Sequence, residues 1–141
     1  MANNFLEGRK KLQENAEKIW GLKNISLINK TGVVASDFSL ADFLKLFQFI
    51  YSKTTKNWRY LQEKLKTSRN IYYLFDQLEL EILGSKSGTG KLDGLYWISD
   101  CGIFKKDGKT YFMGAIVSNK KISSAVLRIR KVGKELLSKL T

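Results

Sequence analysis

Histidine and proline are missing from this chain of 141 residues, and cysteine occurs once. Without histidine, the chain contains no Ser-His-Asp triad, no Cys-His pair and no histidine-ligated metal. The single cysteine, Cys101, excludes an internal disulfide and a cysteine cluster for structural zinc. Any chemistry in this chain must therefore use lysine, hydroxyl, carboxylate or backbone groups, and we expect no metal and no cofactor.

Long apolar runs are also missing. No run reaches the roughly 18–20 residues of a membrane span, so the sequence predicts no such span. The stretch from Met1 to Trp20 is charged throughout and lacks the apolar centre of a signal peptide, which leaves the compartment open. A content of 43% hydrophobic and 12% aromatic residues is too apolar for a disordered chain. The length predicts a single domain over residues 1–141.

Acidic residues are scarce, with 13 against 25 lysines and arginines, which gives a net charge of +12. Such a charge invites a nucleic-acid partner. The stretch from Lys105 to Thr141 contains ten basic residues and only two acidic residues, Asp107 and Glu135. Several of them fall opposite the apolar stripe of a terminal helix, as an ordinary solvated face would. No recognition-helix, zinc-finger or RNA-binding signature supports the charge, so nucleic acid is the less favoured partner.

The periodicity of apolar residues predicts helices, then strands, then a helix. Helices are predicted over Phe5–Trp20 with Gly21 as C-cap, from the Ser39/Asp42 capping arrangement onward, over about Lys56–Lys66, and around Ile71, Leu74, Phe75 and Leu78. A final helix has an apolar stripe of Ile122, Val126, Ile129, Val132, Leu136 and Leu140. A short extended piece at Ile25–Asn29 ends in a turn at residues 30–32.

Strands are predicted near Leu80–Ser87, Leu95–Phe104 and Thr110–Val117. Asp107-Gly108 is a strong hairpin signal between the last two. The sequence therefore predicts an α+β fold, with N-terminal helices, a three-stranded antiparallel meander and a C-terminal helix packed on the sheet.

The segment Lys86-Ser87-Gly88-Thr89 carries the most informative chemistry, since it lies at a predicted strand edge. An ammonium group supplies charge for a carboxylate, a hydroxyl group supplies a directional hydrogen bond, and glycine lets a ligand approach the backbone. The surrounding Gly84–Lys91 is not a phosphate loop, because the second glycine and the Lys-Ser/Thr pair are not at the required spacing. Lys30-Thr31-Gly32 repeats the triplet but is typical of a turn.

This pattern resembles the C-terminal part of the serine β-lactamase and penicillin-binding-protein superfamily, especially D-alanyl-D-alanine carboxypeptidases. The likeness lies in Lys86-Ser87-Gly88-Thr89, in Gly94–Phe104, in Asp107-Gly108-Lys109, in Tyr111–Asn119 and in the terminal helix. Upstream, Trp20–Gly32 and the helix start at Ser39–Asp42 are similar to the segment that precedes it.

The resemblance implies roles for the four residues. Lys86 would attract the substrate carboxylate and help tune proton transfer, Ser87 would hydrogen-bond that carboxylate, and Gly88 would keep the strand surface clear. The backbone N–H of Thr89 would be an oxyanion-hole donor. The alternative is that Lys86 and Ser87 are a solvated strand end and that Gly88–Gly90 form a turn.

The chain also departs from the family. The Ser-x-x-Lys motif that carries the family's nucleophile occurs only as Ser118–Lys121, after the last predicted strand. The second motif, Ser/Tyr-x-Asn, would fall near or before the start of this chain, and Met1-Ala2-Asn3 lies at about that place with methionine where the hydroxyl should be. The Glu-x-x-Leu-Asn of class A β-lactamases is absent. The chain thus resembles the rear half of the enzyme, inactive alone.

The family's sheet has five strands, so a chain with three would leave an unpaired edge and an uncovered apolar face. The expected partners are a second polypeptide that supplies the missing half, or a second copy of this chain. A completed protein would take a peptidoglycan-like peptide or a β-lactam. A truncated or decayed gene product remains a further alternative.

Overall fold

The computed structural model describes the backbone of residues 2–22, 25–26, 37–67, 73–76 and 78–140. Side chains are described for residues 7–8, 10–22, 39–67, 73–76 and 78–140. The elements, in chain order, are α1 (Ala2–Trp20), β1 (Ile25–Ser26), β2 (Asp37–Phe38), α2 (Leu40–Tyr51), α3 (Lys56–Thr67), β3 (Glu81–Leu92), β4 (Leu95–Lys106), β5 (Lys109–Asn119) and α4 (Ile122–Leu137). The chain is α+β, as predicted.

The described residues group into two compact units, Met1–Phe49 and Ile50–Thr141. In the first unit, α1 ends as its sequence predicts, because Gly21 adopts a φ of 64°. The N–H of Leu22 then donates to the carbonyl of Ala16 at 3.1 Å, so the chain turns back onto the last turn of the helix. Ala16 and Leu22 are fully buried, and Trp20 and Leu46 pack against them.

Helix α2 begins at the predicted cap. The hydroxyl of Ser39 accepts the N–H of Asp42 at 3.1 Å, which satisfies one of the free donors of the first turn. Strands β1 and β2 form a short antiparallel pair, of which only the first was predicted. The predicted turn at residues 30–32 and its Lys30-Thr31-Gly32 triplet lie outside the described residues.

The second unit holds the antiparallel meander, with strand order β3-β4-β5. Both connections are two-residue Asp-Gly turns in which each residue has a positive φ, at Asp93-Gly94 and at Asp107-Gly108. Such turns match the right-handed twist of the strands they join. The second turn confirms the prediction, whereas the first was not predicted.

Helix α4 packs on one face of this sheet, as predicted. Its buried residues Ala125 and Ile129 join a core with Ile98, Phe104 and Val117. Val126, Val132, Leu136 and Leu140 pack at the margin of that core. Ile122 was predicted as part of the stripe but is 47% exposed, because it lies at the first turn of the helix.

The predicted short helix around Leu74 and Phe75 is wrong where it can be judged. Residues 73–76 form bends and a turn, and residues 78–80 have no regular structure. Ile71 lies outside the described residues. The reason is non-local, since the contacts of Leu74 and Phe75 with β4 and α4 fix this segment more strongly than its local pattern does.

A candidate carboxylate-binding strand edge

The four predicted site residues all lie in β3, an outer strand of the sheet. Within the described part of the chain, β3 pairs with β4 alone. The pairs are Lys86 with Cys101, Ser87 with Asp100, Gly88 with Ser99, and Thr89 with Ile98. Strand β3 runs on to Leu92 instead of ending near Ser87, so Gly88–Gly90 are strand residues and not a turn.

Lys86 and Ser87 lie on opposite faces of the sheet, because successive side chains of a strand alternate. Lys86 shares its face with Gly88, while Ser87 and Thr89 share the face that packs against α4. A single carboxylate can meet both Lys86 and Ser87 only at the outer edge of β3, beyond the plane of the sheet. Lys86 is exposed and Ser87 is half-buried, so both side chains keep contact with solvent.

The ammonium group of Lys86 already lies against the backbone of β3. Its Nζ donates to the carbonyl of Ser87 at 2.5 Å. Its positive charge also acts on Asp100, the residue paired with Ser87, and is one of the influences that lower the pKa of that carboxyl.

Gly88 has a geometric reason to be glycine. A Cβ atom at this position would lie 3.1 Å from the hydroxyl oxygen of Ser99, which is tighter than ordinary contacts. The missing side chain therefore makes room for Ser99 on the Lys86 face. It also leaves the backbone of β3 accessible beside Lys86, as the resemblance implies for a ligand-binding strand.

Gly84, at the start of the same glycine-rich segment, serves packing instead. A Cβ atom there would lie 1.9 Å from the hydroxyl oxygen of Tyr51. That hydroxyl donates to the carbonyl of Leu83 at 2.9 Å, next to the register shift between Ile82 and Gly84. Burial raises the pKa of Tyr51 to about 12, so its hydroxyl keeps its proton at neutral pH.

Sequence reasoning missed Asp100, which is fully buried opposite Ser87. Its Oδ2 accepts the N–H of Leu74 at 2.9 Å. Burial raises the pKa of this carboxyl to about 6, against the lowering influence of nearby backbone N–H groups and of Lys86. The only sequence signal was a charged residue inside an apolar strand, and its partner is 26 residues away.

The one Ser-x-x-Lys motif of the sequence, Ser118–Lys121, does not lie at this edge. Ser118 pairs with Trp97 and lies four residues along β5 from Gly114, the residue in the row of Lys86 and Cys101. That spacing is about 13 Å along the strand. Ser118 is a residue of β5, whereas Lys121 is the N-cap residue before α4. This Ser-x-x-Lys motif therefore does not lie on one helix.

The described residues around this site offer neither a reactive cysteine nor a metal-binding cluster. Burial, and then the charge of Asp100, raise the pKa of the Cys101 thiol to about 12, so it is not a nucleophile at neutral pH. Among the described residues, no group of three or more His, Cys, Asp or Glu side chains could hold a metal ion. None of the helices in those residues is long and apolar enough to cross a membrane.

No family model, no curated protein and no solved structure matches this chain. The resemblance to penicillin-recognising enzymes therefore stays a prediction from the sequence.

Proposed function

We propose that this chain is the substrate-carboxylate-binding portion of a penicillin-recognising serine hydrolase, similar to a D-alanyl-D-alanine carboxypeptidase or a β-lactamase-like protein. The supporting observation is the position of Lys86 and Ser87 side by side on an outer strand, where both side chains keep contact with solvent. There, Lys86 attracts a carboxylate and Ser87 donates a hydrogen bond to it. Charge-assisted hydrogen bonds of this kind are stronger than neutral ones.

The open edges of the sheet support a partner that completes the enzyme. Within the described residues, β3 and β5 each pair only with β4. On the face opposite α4, the large side chains of Trp97 and Ile116 are each 41% exposed. A second polypeptide, or a further segment, would cover these groups and supply the Ser-x-x-Lys nucleophile. The complete enzyme would transfer an acyl group through an acyl-serine intermediate.

A fluorescent penicillin tests this function. We expect no covalent labelling of this chain alone, because the nucleophile is missing from the family position. Mixed with the polypeptide encoded directly upstream, if that carries Ser-x-x-Lys, the chain should support labelling that survives denaturation. Lys86→Ala and Ser87→Ala should each weaken labelling roughly 10- to 100-fold, since a hydrogen bond to a charged group contributes about 1.5–3 kcal/mol.

Lys91→Ala is the matched control, because Lys91 is an exposed lysine on the same strand that lies over the Tyr96 ring. It should leave labelling unchanged. Equal losses in all three variants would contradict the proposed site. Labelling of the isolated chain that disappears in Ser118→Ala would show that the Ser118 motif is the nucleophile after all.

The basic surface supports a second candidate function, the binding of nucleic acid or another anionic surface. Lys106 donates through Nζ to the carbonyl of Leu140 at 3.1 Å, which holds the β4–β5 hairpin against the end of the C-terminal segment. The neighbouring Lys105 and Lys109 are exposed. A groove of about 290 Å³ on α4 is lined by Leu127, Arg130, Lys131 and Lys134.

A further inference from the structure

The irregular segment Tyr73–Asp76, which we call the latch segment, contacts both the sheet and α4. Glycines on two sides make room for it. A Cβ atom at Gly102 of β4 would lie 2.8 Å from the Phe75 ring, and one at Gly133 of α4 would lie 2.0 Å from the carbonyl oxygen of Leu74. Because the main chain of the latch segment packs so closely against β4 and α4, the segment cannot shift slightly while it stays in place.

Two polar contacts fasten the latch segment. Toward the sheet, the N–H of Leu74 donates to Oδ2 of Asp100 at 2.9 Å. Toward the helix, Asp76 forms an ion pair with Arg130 at 2.5 Å. The first contact is fully buried and the second is about two-thirds buried, so the sheet-side contact depends far more on whether its carboxyl is charged.

The carboxylate form of Asp100 is poorly accommodated. The side chain has no exposed surface, and within the described residues its Oδ1 atom has no hydrogen-bond partner. Burial raises its pKa to about 6, although the N–H groups of Leu74, Cys101 and Tyr73 and the charge of Lys86 oppose the shift. A buried charge with incomplete hydrogen bonding favours any rearrangement that lets water reach it.

We propose that the latch segment is a pH-sensitive latch, held on the sheet while Asp100 is protonated and opening more often once that carboxyl ionises. Because Ser87 pairs with Asp100 on the same face, opening would alter the surroundings of the candidate site. The proposal does not depend on the function proposed above.

None of the described groups around Asp100 replaces it as the group whose ionisation opens the latch. On β3, Lys86 attracts the carboxylate but does not cancel the effect of burial. Arg130 of α4 is engaged by Asp76 of the latch segment itself. The neighbouring Cys101 thiol has its pKa raised to about 12 and stays neutral, and Ala115, opposite on β5, does not titrate.

The two pKa values of Asp100, in the closed and in the opened protein, determine how opening depends on pH. The carboxyl has a pKa of about 6 in the closed protein against 3.8 when solvated. The closed form therefore binds the proton more tightly, so its advantage is complete below pH 3.8 and is lost as pH rises through about 6. Between pH 5 and pH 7.5, the equilibrium constant for opening should rise about tenfold.

Amide hydrogen exchange measures this opening directly. We expect the protection factor of the Leu74 amide, which corrects for the intrinsic rate, to fall about tenfold from pH 5 to pH 7.5. Asp100→Asn should remove this pH dependence. Asp76→Asn is the matched control, since it makes the same change at the other contact of the segment. It should lower protection at every pH and keep the tenfold slope.

Local opening must also be separated from global unfolding. Urea below the unfolding transition should leave Leu74 exchange unchanged while it accelerates exchange at Ile103, in the core of β4. Identical protection and urea dependence at the two amides would overturn the latch, as would a pH-independent Leu74 in the wild type or a retained pH dependence in Asp100→Asn. If Asp100→Asn fails to fold, the carboxyl ¹³C titration of Asp100 decides instead. A midpoint near 6 supports the latch and one near 4 overturns it.

Discussion

At the residue scale, glycines of similar sequence context do different work. In β3, Gly84 accommodates the Tyr51 hydroxyl, Gly88 leaves room for Ser99, and Gly90 has nothing within 4 Å of the place where a Cβ atom would stand. The sequence placed all three in one glycine-rich segment and predicted a ligand-binding role for Gly88 alone. Only the contacts made by distant parts of the chain distinguish them, and a local pattern does not contain those contacts.

This difference predicts unequal effects of one substitution. Gly84→Ala would place a methyl group 1.9 Å from the Tyr51 hydroxyl oxygen, so either the ring or β3 must move. We expect a loss of about 1–3 kcal/mol in the free energy of unfolding, the usual cost of overpacking. Gly90→Ala, in the same strand, should change stability by less than about 1 kcal/mol, because the added methyl group meets open space.

Urea denaturation of the two variants beside the wild type measures both values. The double variant Tyr51→Phe/Gly84→Ala should recover part of the loss, since it removes the clashing oxygen. Equal stability of Gly84→Ala and Gly90→Ala would mean that Tyr51 does not pack on Gly84 as the structure describes.

Caps and turns that depend on neighbouring residues in the sequence were predicted. The burial of a residue by distant parts of the chain was not. The C-cap at Gly21, the Ser39 cap and the Asp107-Gly108 turn each depend on a few neighbouring residues and were found. Asp93-Gly94 carries the same turn signal but was missed, because the preceding glycines suggested that the loop lay earlier. Asp100 was missed since its burial depends on Leu74, which the fold brings to it.

At the element scale, the periodicity of apolar residues predicted the order and type of the main helices and strands. It did not always predict the residues at which they end. Strand β3 continues through Gly88 and Gly90 to Leu92 because β4 pairs with it along that length. Pairing with a neighbour thus outweighs the weak strand preference of glycine. Helix α4 was the best predicted element, since a long apolar stripe identifies both its type and its buried face.

The stripe of α4 yields a prediction about packing. Ile129→Asp would place a carboxylate where the side chain has no exposed surface, so we expect a loss of several kcal/mol in the free energy of unfolding. Lys131→Ser changes an exposed residue whose contact with Glu135 is a long one, at 3.8 Å. It should cost within about half a kcal/mol. Thermal and urea melts of both variants supply the measurement, and coincident melting curves would contradict the packing of α4 on the sheet.

At the scale of the whole molecule, α4 covers one face of the sheet in the second unit, and Tyr51 and α3 cover part of the other face beside Gly84. The two outer strands pair only inward among the described residues. The α+β class and the C-terminal helix on the sheet were predictable, because they depend on patterns that run through entire elements. Whether residues 1–141 act as a single domain stays a prediction, since the described residues form two compact units. A partner at the edge likewise stays a proposal.

The net charge of +12 is the property that most favours the second candidate function, and salt dependence tests it. Along α4, the basic side is interrupted by the pairs Arg130–Asp76 and Lys131–Glu135. We therefore expect oligonucleotide affinity weaker than micromolar at physiological salt, with any binding at low salt lost steeply as counterion release predicts. Fluorescence anisotropy with duplex and single-stranded oligonucleotides measures it.

Charge removal at the Lys105–Lys109 hairpin and at Arg128 and Lys131 should then leave penicillin labelling of the completed protein intact, because none of these positions lies at the β3 edge. Micromolar binding that persists at physiological salt and weakens stepwise with each removed charge would favour the anionic partner instead. Such a result, combined with no labelling in the presence of any Ser-x-x-Lys half, would replace the hydrolase proposal with a nucleic-acid-binding one, since a surface that neutralises phosphates loses affinity one contact at a time.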